Sequence, residues 1–196
     1  MNNRILRSAQ ILKQGGIIAY PTDTVYGIGT NAFNAEAVQQ IYQIKERPLS
    51  SPLSIAVAGK TMAQHVAYLN EQALRLITKF WPGALTIIVK KKAIIPPVVT
   101  GGTNLVGLRA PAHNVPLSIL KYSQIPMIST SANKHGKPPC LSVECIRSNF
   151  GNHIDMIIEG KQEGNIPSTV INVTTHPPVI VRKGPITESM LEPILN

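Results

Sequence analysis

The sequence predicts an α/β or mixed α+β fold around one sheet. Helical and strand patterns are interleaved along the chain instead of segregated. Apolar residues make up 43% and charged residues 15% of its 196 positions. Disordered chains show more charge and fewer apolar groups. No internal repeat or low-complexity linker divides the sequence, and its length suits one domain with a sizeable core or at most two very small ones.

Ile5, Leu6, Ala9 and Leu12 recur at helical spacing, and Gly15-Gly16 stops that helix. Gly16–Tyr20 (GIIAY) reads as a buried strand ending at Pro21. Asn34 caps a second helix with Ala37, Val38, Ile41 and Ile44 on one face, ending near Arg47 ahead of Pro48. Pro52–Val57 reads as a strand, and Ala73–Phe80 as a helix closed by Trp81-Pro82-Gly83. The β-branched content of Ala84–Lys90 marks a strand, and Leu105–Ala110 and Ile125–Thr130 are shorter ones. Ser142 caps a helix running to Phe150; DMIIEG, STVINV and PVIVRKG give three further strands, and Thr187 caps a last helix.

The formal net charge is +9, and it is uneven. Residues 1–143 hold 15 Lys and Arg against 4 Asp and Glu, whereas residues 144–196 hold 4 against 6. Such an excess favours anionic partners such as nucleotide, phosphate or nucleic acid, although net charge speaks to association and not to function. Aromatic residues are only 5%, a poor basis for stacking nucleobases. No apolar run approaches the roughly 20 residues of a membrane span, and MNNRILRSAQILKQGG lacks the apolar stretch and cleavage site of a secretory signal. Cys140 and Cys145 are too few for a disulfide framework or a four-ligand zinc site, so a reducing cytoplasm is expected.

Several chemistries lack their residues. There is no P-loop, no G-x-G-x-x-G, no G-x-S-x-G and no H-E-x-x-H. The five histidines show no metal-ligand spacing, so no metal site is expected. The acidic residues of the first 143 are Asp23, Glu36, Glu46 and Glu71, too sparse for a paired-carboxylate hydrolase or a two-metal nuclease. Asn172-Val173-Thr174 matches a glycosylation sequon but reads as strand.

Four segments put polar or cationic groups at element ends, where α/β sites gather. In Ala19–Gly29 a buried strand enters Pro-Thr-Asp-Thr and a tight Gly-rich turn; Thr22 and Thr24 either orient a small polar ligand or serve the turn. In KERP, Lys45 and Arg47 either suit the helix dipole or clamp a phosphate. In Ile128–Gly136, hydroxyls, an amide and a glycine either form an ordinary turn or cradle a phosphate. Arg109, ending the strand GLRAP, calls for a carboxylate, from a ligand or from the protein.

Together with WPGALTIIV (Trp81–Val89), PSTVINV (Pro167–Val173) and VRKG (Val181–Gly184), the segments PTDTVYGIG, KERP, GLRAP and STSAN resemble the TsaC/YrdC family, the L-threonylcarbamoyladenylate synthases. Each segment alone is weak, but their order from about residue 10 to 185 is specific. STSAN followed by Pro138–Cys140 is similar to the short bacterial form. The resemblance implies one domain over residues 1–196 with the YrdC-like (RibB-like) fold, a twisted mixed β-sheet flanked by helices with a basic concave face.

It also implies a reaction. L-threonine, bicarbonate and ATP give L-threonylcarbamoyl-AMP and pyrophosphate, and other proteins transfer the threonylcarbamoyl group to adenosine in tRNA. By resemblance, Lys45 and Arg47 are catalytic and, with Arg182, neutralise carbamate and phosphates; Ser131 and Asn133 contact the nucleotide; Thr24, Tyr26, Arg109 and Ser168 contact threonine. Mg2+ is expected to arrive on the ATP phosphates, because the chain is short of carboxylates. Direct tRNA contact is compatible with the basic face; a membrane is not an expected partner. Three positions depart from the family pattern: Ala56 stands where many relatives have His, His135 where Ser is common, and Asp23 where Glu is commoner. The competing reading is a non-catalytic RNA-binding module of the same fold, with salt-sensitive affinity and no dependence on threonine.

Overall fold

The computed structural model describes residues 2–195. Helix α1 (Asn2–Lys13) buries Ile5, Ala9 and Leu12, the stripe its spacing predicts. The chain then enters the sheet. Its strands are β1 (Ile18–Tyr20), β2 (Gly27–Gly29), β3 (Ser54–Ala56), β4 (Ala67–Tyr68), β5 (Leu85–Lys91), β6 (Leu105–Arg109), β7 (Met127–Ser131), β8 (Met156–Ile157), β9 (Thr169–Asn172) and β10 (Val179–Arg182). They lie in the order β10-β9-β5-β6-β3-β7-β2-β1-β8, with β4 beside one end of β5. The sheet is mixed: β1/β8, β3/β6 and β5/β9 are parallel pairs, and the remaining pairs are antiparallel.

The two-residue period of the strands sorts the core into two layers. Ala19, Ile28, Ile55 and Ile128 face one side. There they meet Val38 and Ile41 of α2 (Ala35–Lys45), Leu76 and Phe80 of α4 (Glu71–Phe80), Ile146 and Phe150 of α6 (Val143–Phe150), and Leu191 of α7 (Glu188–Leu195). Their neighbours Ile18, Tyr20, Ala56 and Met127 face the other side, under α1 and α5 (Asn114–Ser123). A single α/β domain with helices on both sheet faces results, as expected.

The predicted caps hold α2 and α6. Asn34 Oδ1 accepts from the Ala37 amide at 3.1 Å, and Ser142 Oγ from the Cys145 amide at 3.2 Å. Helix α2 ends where Glu46 turns left-handed, at φ 53°. Thr187 meets α7 through its carbonyl, which accepts from Met190 and Leu191, while its hydroxyl pairs with Ser189.

Four elements were not legible. The expected Gly-rich turn contains β2, paired on both sides by β1 and β7. Helix α5 contains Pro116, but in its first turn, where a missing N–H breaks no helical bond. Helix α3 (Lys60–Val66) and β4 lie where no element was expected. Cys140 and Cys145 form a local disulfide across the start of α6, where no disulfide was anticipated. No helix among the described residues is long and apolar enough to cross a membrane.

Gly29 explains why β2 is glycine-rich. A Cβ there would sit 2.0 Å from the Ile128 carbonyl oxygen, which is backbone and cannot swing away. Gly29→Ala is therefore expected to destabilise the fold by about 3 kcal/mol or more through overpacking, read as a lower urea midpoint.

Candidate active site

A cleft of about 500 Å³ opens on the sheet. Its floor is laid by strand alternation. Ser54 and Ser129 stand two residues from Ala56 and Met127 and so share their face, beyond the part that α1 and α5 cover. Gly107 pairs with Ser54, and Gly27 with Ser131. With Thr86 on β5, these small residues leave room above the backbone and line the cleft with hydroxyls.

Three arginines enter from separate parts of the chain. Arg47 follows α2; its Nε donates to the Ser51 carbonyl at 3.1 Å and its Nη2 to the Pro52 carbonyl at 2.9 Å. Arg109 ends β6 and is held on all three nitrogens. Nε donates to the Gly83 carbonyl at 2.9 Å, Nη1 to Thr24 Oγ1 at 3.0 Å, and Nη2 to Asp23 Oδ1 at 2.6 Å. Arg182 ends β10, with Nε donating to the Ser168 carbonyl at 2.9 Å and Nη2 to Ser168 Oγ at 3.1 Å. Ser168 Oγ also meets Thr86 Oγ1 at 2.8 Å, and Thr24 Oγ1 meets Thr22 Oγ1 at 3.0 Å.

The charges do not balance. Partial desolvation of its guanidinium lowers the Arg182 pKa, and the positive fields of Arg109 and Arg47 lower it further. Desolvation likewise lowers that of Arg47. Asp23 answers one arginine, and among the described residues no carboxylate lines the cleft. Like charges held this way leave a cavity prepared for an anion.

Seven of the expected residues line this cleft: Thr24, Tyr26, Arg47, Arg109, Ser131, Ser168 and Arg182. The Tyr26 hydroxyl is directed to Gly160, donating to its carbonyl and accepting from its amide. The other two, Lys45 and Asn133, are not among its lining residues. Lys45 is 1% exposed, and its Nζ donates to the Ser131 carbonyl at 2.6 Å, the Asn133 carbonyl at 2.7 Å and Asn133 Oδ1 at 3.3 Å. Asn133 spends its own amide on the Lys134 and Lys137 carbonyls and takes a hydrogen bond from Ser131 Oγ at 2.5 Å. Burial, reinforced by the Arg47 charge, lowers Lys45 to about 7. Lys45 therefore fixes the turn that presents Ser131, and Arg47 is the member of the KERP pair that faces the cavity.

The departures Ala56 and His135 do not line the cleft. Ala56 packs under α1 and α5, and His135 is exposed. Sequence reasoning missed Ser54, Thr86, Gly107 and Ser129. The available signal was small or hydroxyl residues at alternate positions of apolar strands. Among the described residues, no cluster of three or more His, Cys, Asp or Glu could hold a metal ion.

Comparison with known proteins agrees with this architecture. The Sua5/YciO/YrdC family model, described as telomere recombination, matches residues 10–184. Threonylcarbamoyl-AMP synthase of Pyrococcus abyssi is 36% identical over 195 residues, covering 98% of this chain and 57% of that protein. A putative threonylcarbamoyl-AMP synthase of Methanocaldococcus jannaschii is 39% identical over 171 residues, 87% of this chain and 80% of that one. The crystal structure of P. abyssi Sua5 complexed with L-threonine superposes with a TM-score of 0.93 at 37% identity, covering 97% of this chain and 56% of that one. The chain thus spans just over half the length of the P. abyssi protein. With the family model matching residues 10–184 and the P. abyssi Sua5 fold superposing over 97% of its length, the chain belongs to the Sua5/YciO/YrdC family.

Proposed function

We propose that this chain makes L-threonylcarbamoyl-AMP from L-threonine, bicarbonate and ATP with release of pyrophosphate, as a step towards threonylcarbamoyladenosine in tRNA. The observation that carries the reading is the convergence of Arg47, Arg109 and Arg182 on one hydroxyl-floored cleft with a single carboxylate among their partners.

The reaction asks for this arrangement. Threonine's amine and bicarbonate first form a carbamate: the N–C bond forms, a C–O bond of bicarbonate breaks, and water leaves. A carbamate oxygen then attacks the α-phosphorus of ATP, the bond to the β,γ-diphosphate breaks, and pyrophosphate leaves. Both reactants are anions, so catalysis rests on holding them close and in line while neutralising charge. Arg47 and Arg182 are assigned to carbamate and phosphates. Ser131, on a turn held by Lys45 and Asn133, faces the nucleotide. Thr24, Tyr26, Arg109 and Ser168 form the threonine side. Because Asp23 already engages Arg109 Nη2, Arg109 shapes that side as part of an ion pair. Mg2+ coming with ATP would be held by phosphate oxygens and water, with cleft hydroxyls nearby. The cytoplasm expected from the sequence is the proposed compartment, although the Cys140–Cys145 disulfide does not argue for it, and the tRNA-directed transfer proteins are the proposed downstream partners.

The test incubates the purified chain with ATP, bicarbonate and L-threonine and detects threonylcarbamoyl-AMP and pyrophosphate by mass spectrometry. Product that requires all three substrates supports the reading. A folded chain giving no product, with RNA binding that falls steeply with salt, overturns it in favour of a binding module.

A further inference from the structure

Ser129 has no assigned role, yet its surroundings are specific. Tyr20 is fully buried, and its hydroxyl donates to Ser129 Oγ at 2.9 Å. The two residues are not on adjacent strands: Tyr20 is on β1, Ser129 on β7, and β2 runs between them. The ring crosses β2 at Gly27, where an added Cβ would come within 3.0 Å of Tyr20 Cε2 and 3.3 Å of its hydroxyl. Gly27 is therefore the gap through which the phenol reaches the cleft floor. Burial raises the Tyr20 pKa well above the usual phenol range, outweighing the Ser129 hydrogen bond and the Arg109 charge. The hydroxyl thus keeps its hydrogen at working pH and acts as the donor.

A serine hydroxyl has one hydrogen and two lone pairs. With Tyr20 donating to the oxygen, the Ser129 hydrogen must find another acceptor. None is found among the described residues, and Ser129 lines the cleft. We infer that Ser129 is a substrate-binding residue whose hydroxyl donates to an anionic oxygen of a substrate, and that Tyr20, acting across Gly27, is the positioning residue that aims it. The inference rests on the proposed reaction, in which the anionic oxygens belong either to ATP or to threonine.

The test measures ATP and L-threonine binding separately by calorimetry for the native chain, Ser129→Ala, Tyr20→Phe and the double variant. Circular dichroism confirms that each is folded, and turnover is measured alongside. Loss of one hydrogen bond to a charged group predicts about tenfold weaker binding of one substrate by Ser129→Ala. Tyr20→Phe should weaken the same substrate by about threefold, and add nothing in the Ser129→Ala background. Whichever substrate responds identifies the acceptor as phosphate or carboxylate. Native binding of both substrates by Ser129→Ala, or an effect of Tyr20→Phe that persists without Ser129, overturns the inference. Absence of product from the native chain is a separate result, and it overturns the proposed reaction.

Discussion

Arg182→Ala is expected to lower threonylcarbamoyl-AMP formation by about 10²–10³-fold and to leave stability within about 0.5 kcal/mol. The residue is exposed overall, and its protein hydrogen bonds go to Ser168. Its charged neighbours are the like charges of Arg109 and Arg47. In the unliganded chain, removing the guanidinium loses two hydrogen bonds but relieves repulsion. In the transition state it removes a planar fork from an anion that accumulates charge. Arg182→Lys should recover only part of the rate, since an ammonium is a point charge and cannot engage two oxygens in the fork geometry. The measurements are product yield by mass spectrometry and urea unfolding without substrate. A parallel loss of stability would make Arg182 a strut for Ser168 instead.

Lys45→Met should act in the opposite proportion. The ammonium donates to two backbone carbonyls and one side-chain oxygen around Ser131–Asn133. A thioether fills the volume but donates nothing, so stability should fall by about 1–3 kcal/mol, and ATP affinity with it as the turn loosens. A second signature is pH dependence. Lys45 titrates near 10.5 when unfolded and about 7 when folded. Between these values the unfolded chain holds a proton that the folded chain has released. This group therefore makes stability rise with pH from about 7 to 10.5 and contributes no slope below that window. Lys45→Met should remove that rise, visible as a smaller difference between urea midpoints at pH 7 and pH 10 than in the native chain. Equal differences in the two proteins would place the titration elsewhere.

The sequence showed most clearly what has a strong local cause. The stripe of α1, the Asn34 and Ser142 caps and the β-branched run of β5 were legible because periodicity or a single side chain determines them. β2 was not, because glycine signals turns, and what Gly27 and Gly29 provide is close approach to Tyr20 and Ile128 from other strands. The same distinction runs through the site. Arginines at the ends of apolar strands stand out, and Arg109 and Arg182 were found that way or by resemblance. The serines of the floor look like turn residues until strand pairing puts Ser54 opposite Ser129. Lys45 and Arg47 show a subtler limit. Residues two apart on a helix point about 200° away from each other, so both could not face one cavity from a continuing helix. The break at Glu46 turns Arg47 towards the cleft and leaves Lys45 facing inward.

The place of β10 at the margin of the sheet has a dynamic consequence. Among the described residues the strand pairs with β9 alone, its register is broken between Ile180 and Arg182, and three of its four residues are exposed. Elements with few buried contacts open most readily, well below the free energy of global unfolding. The chain has thus put one wall of its cavity on a segment free to fray, while Arg47 and Arg109 stand on firmer ground. An anion caught between Arg182 and the other two arginines ties that margin to the centre of the sheet, so occupancy and local order rise together. Loss of that anion would undo the tie and leave the margin to open as readily as before.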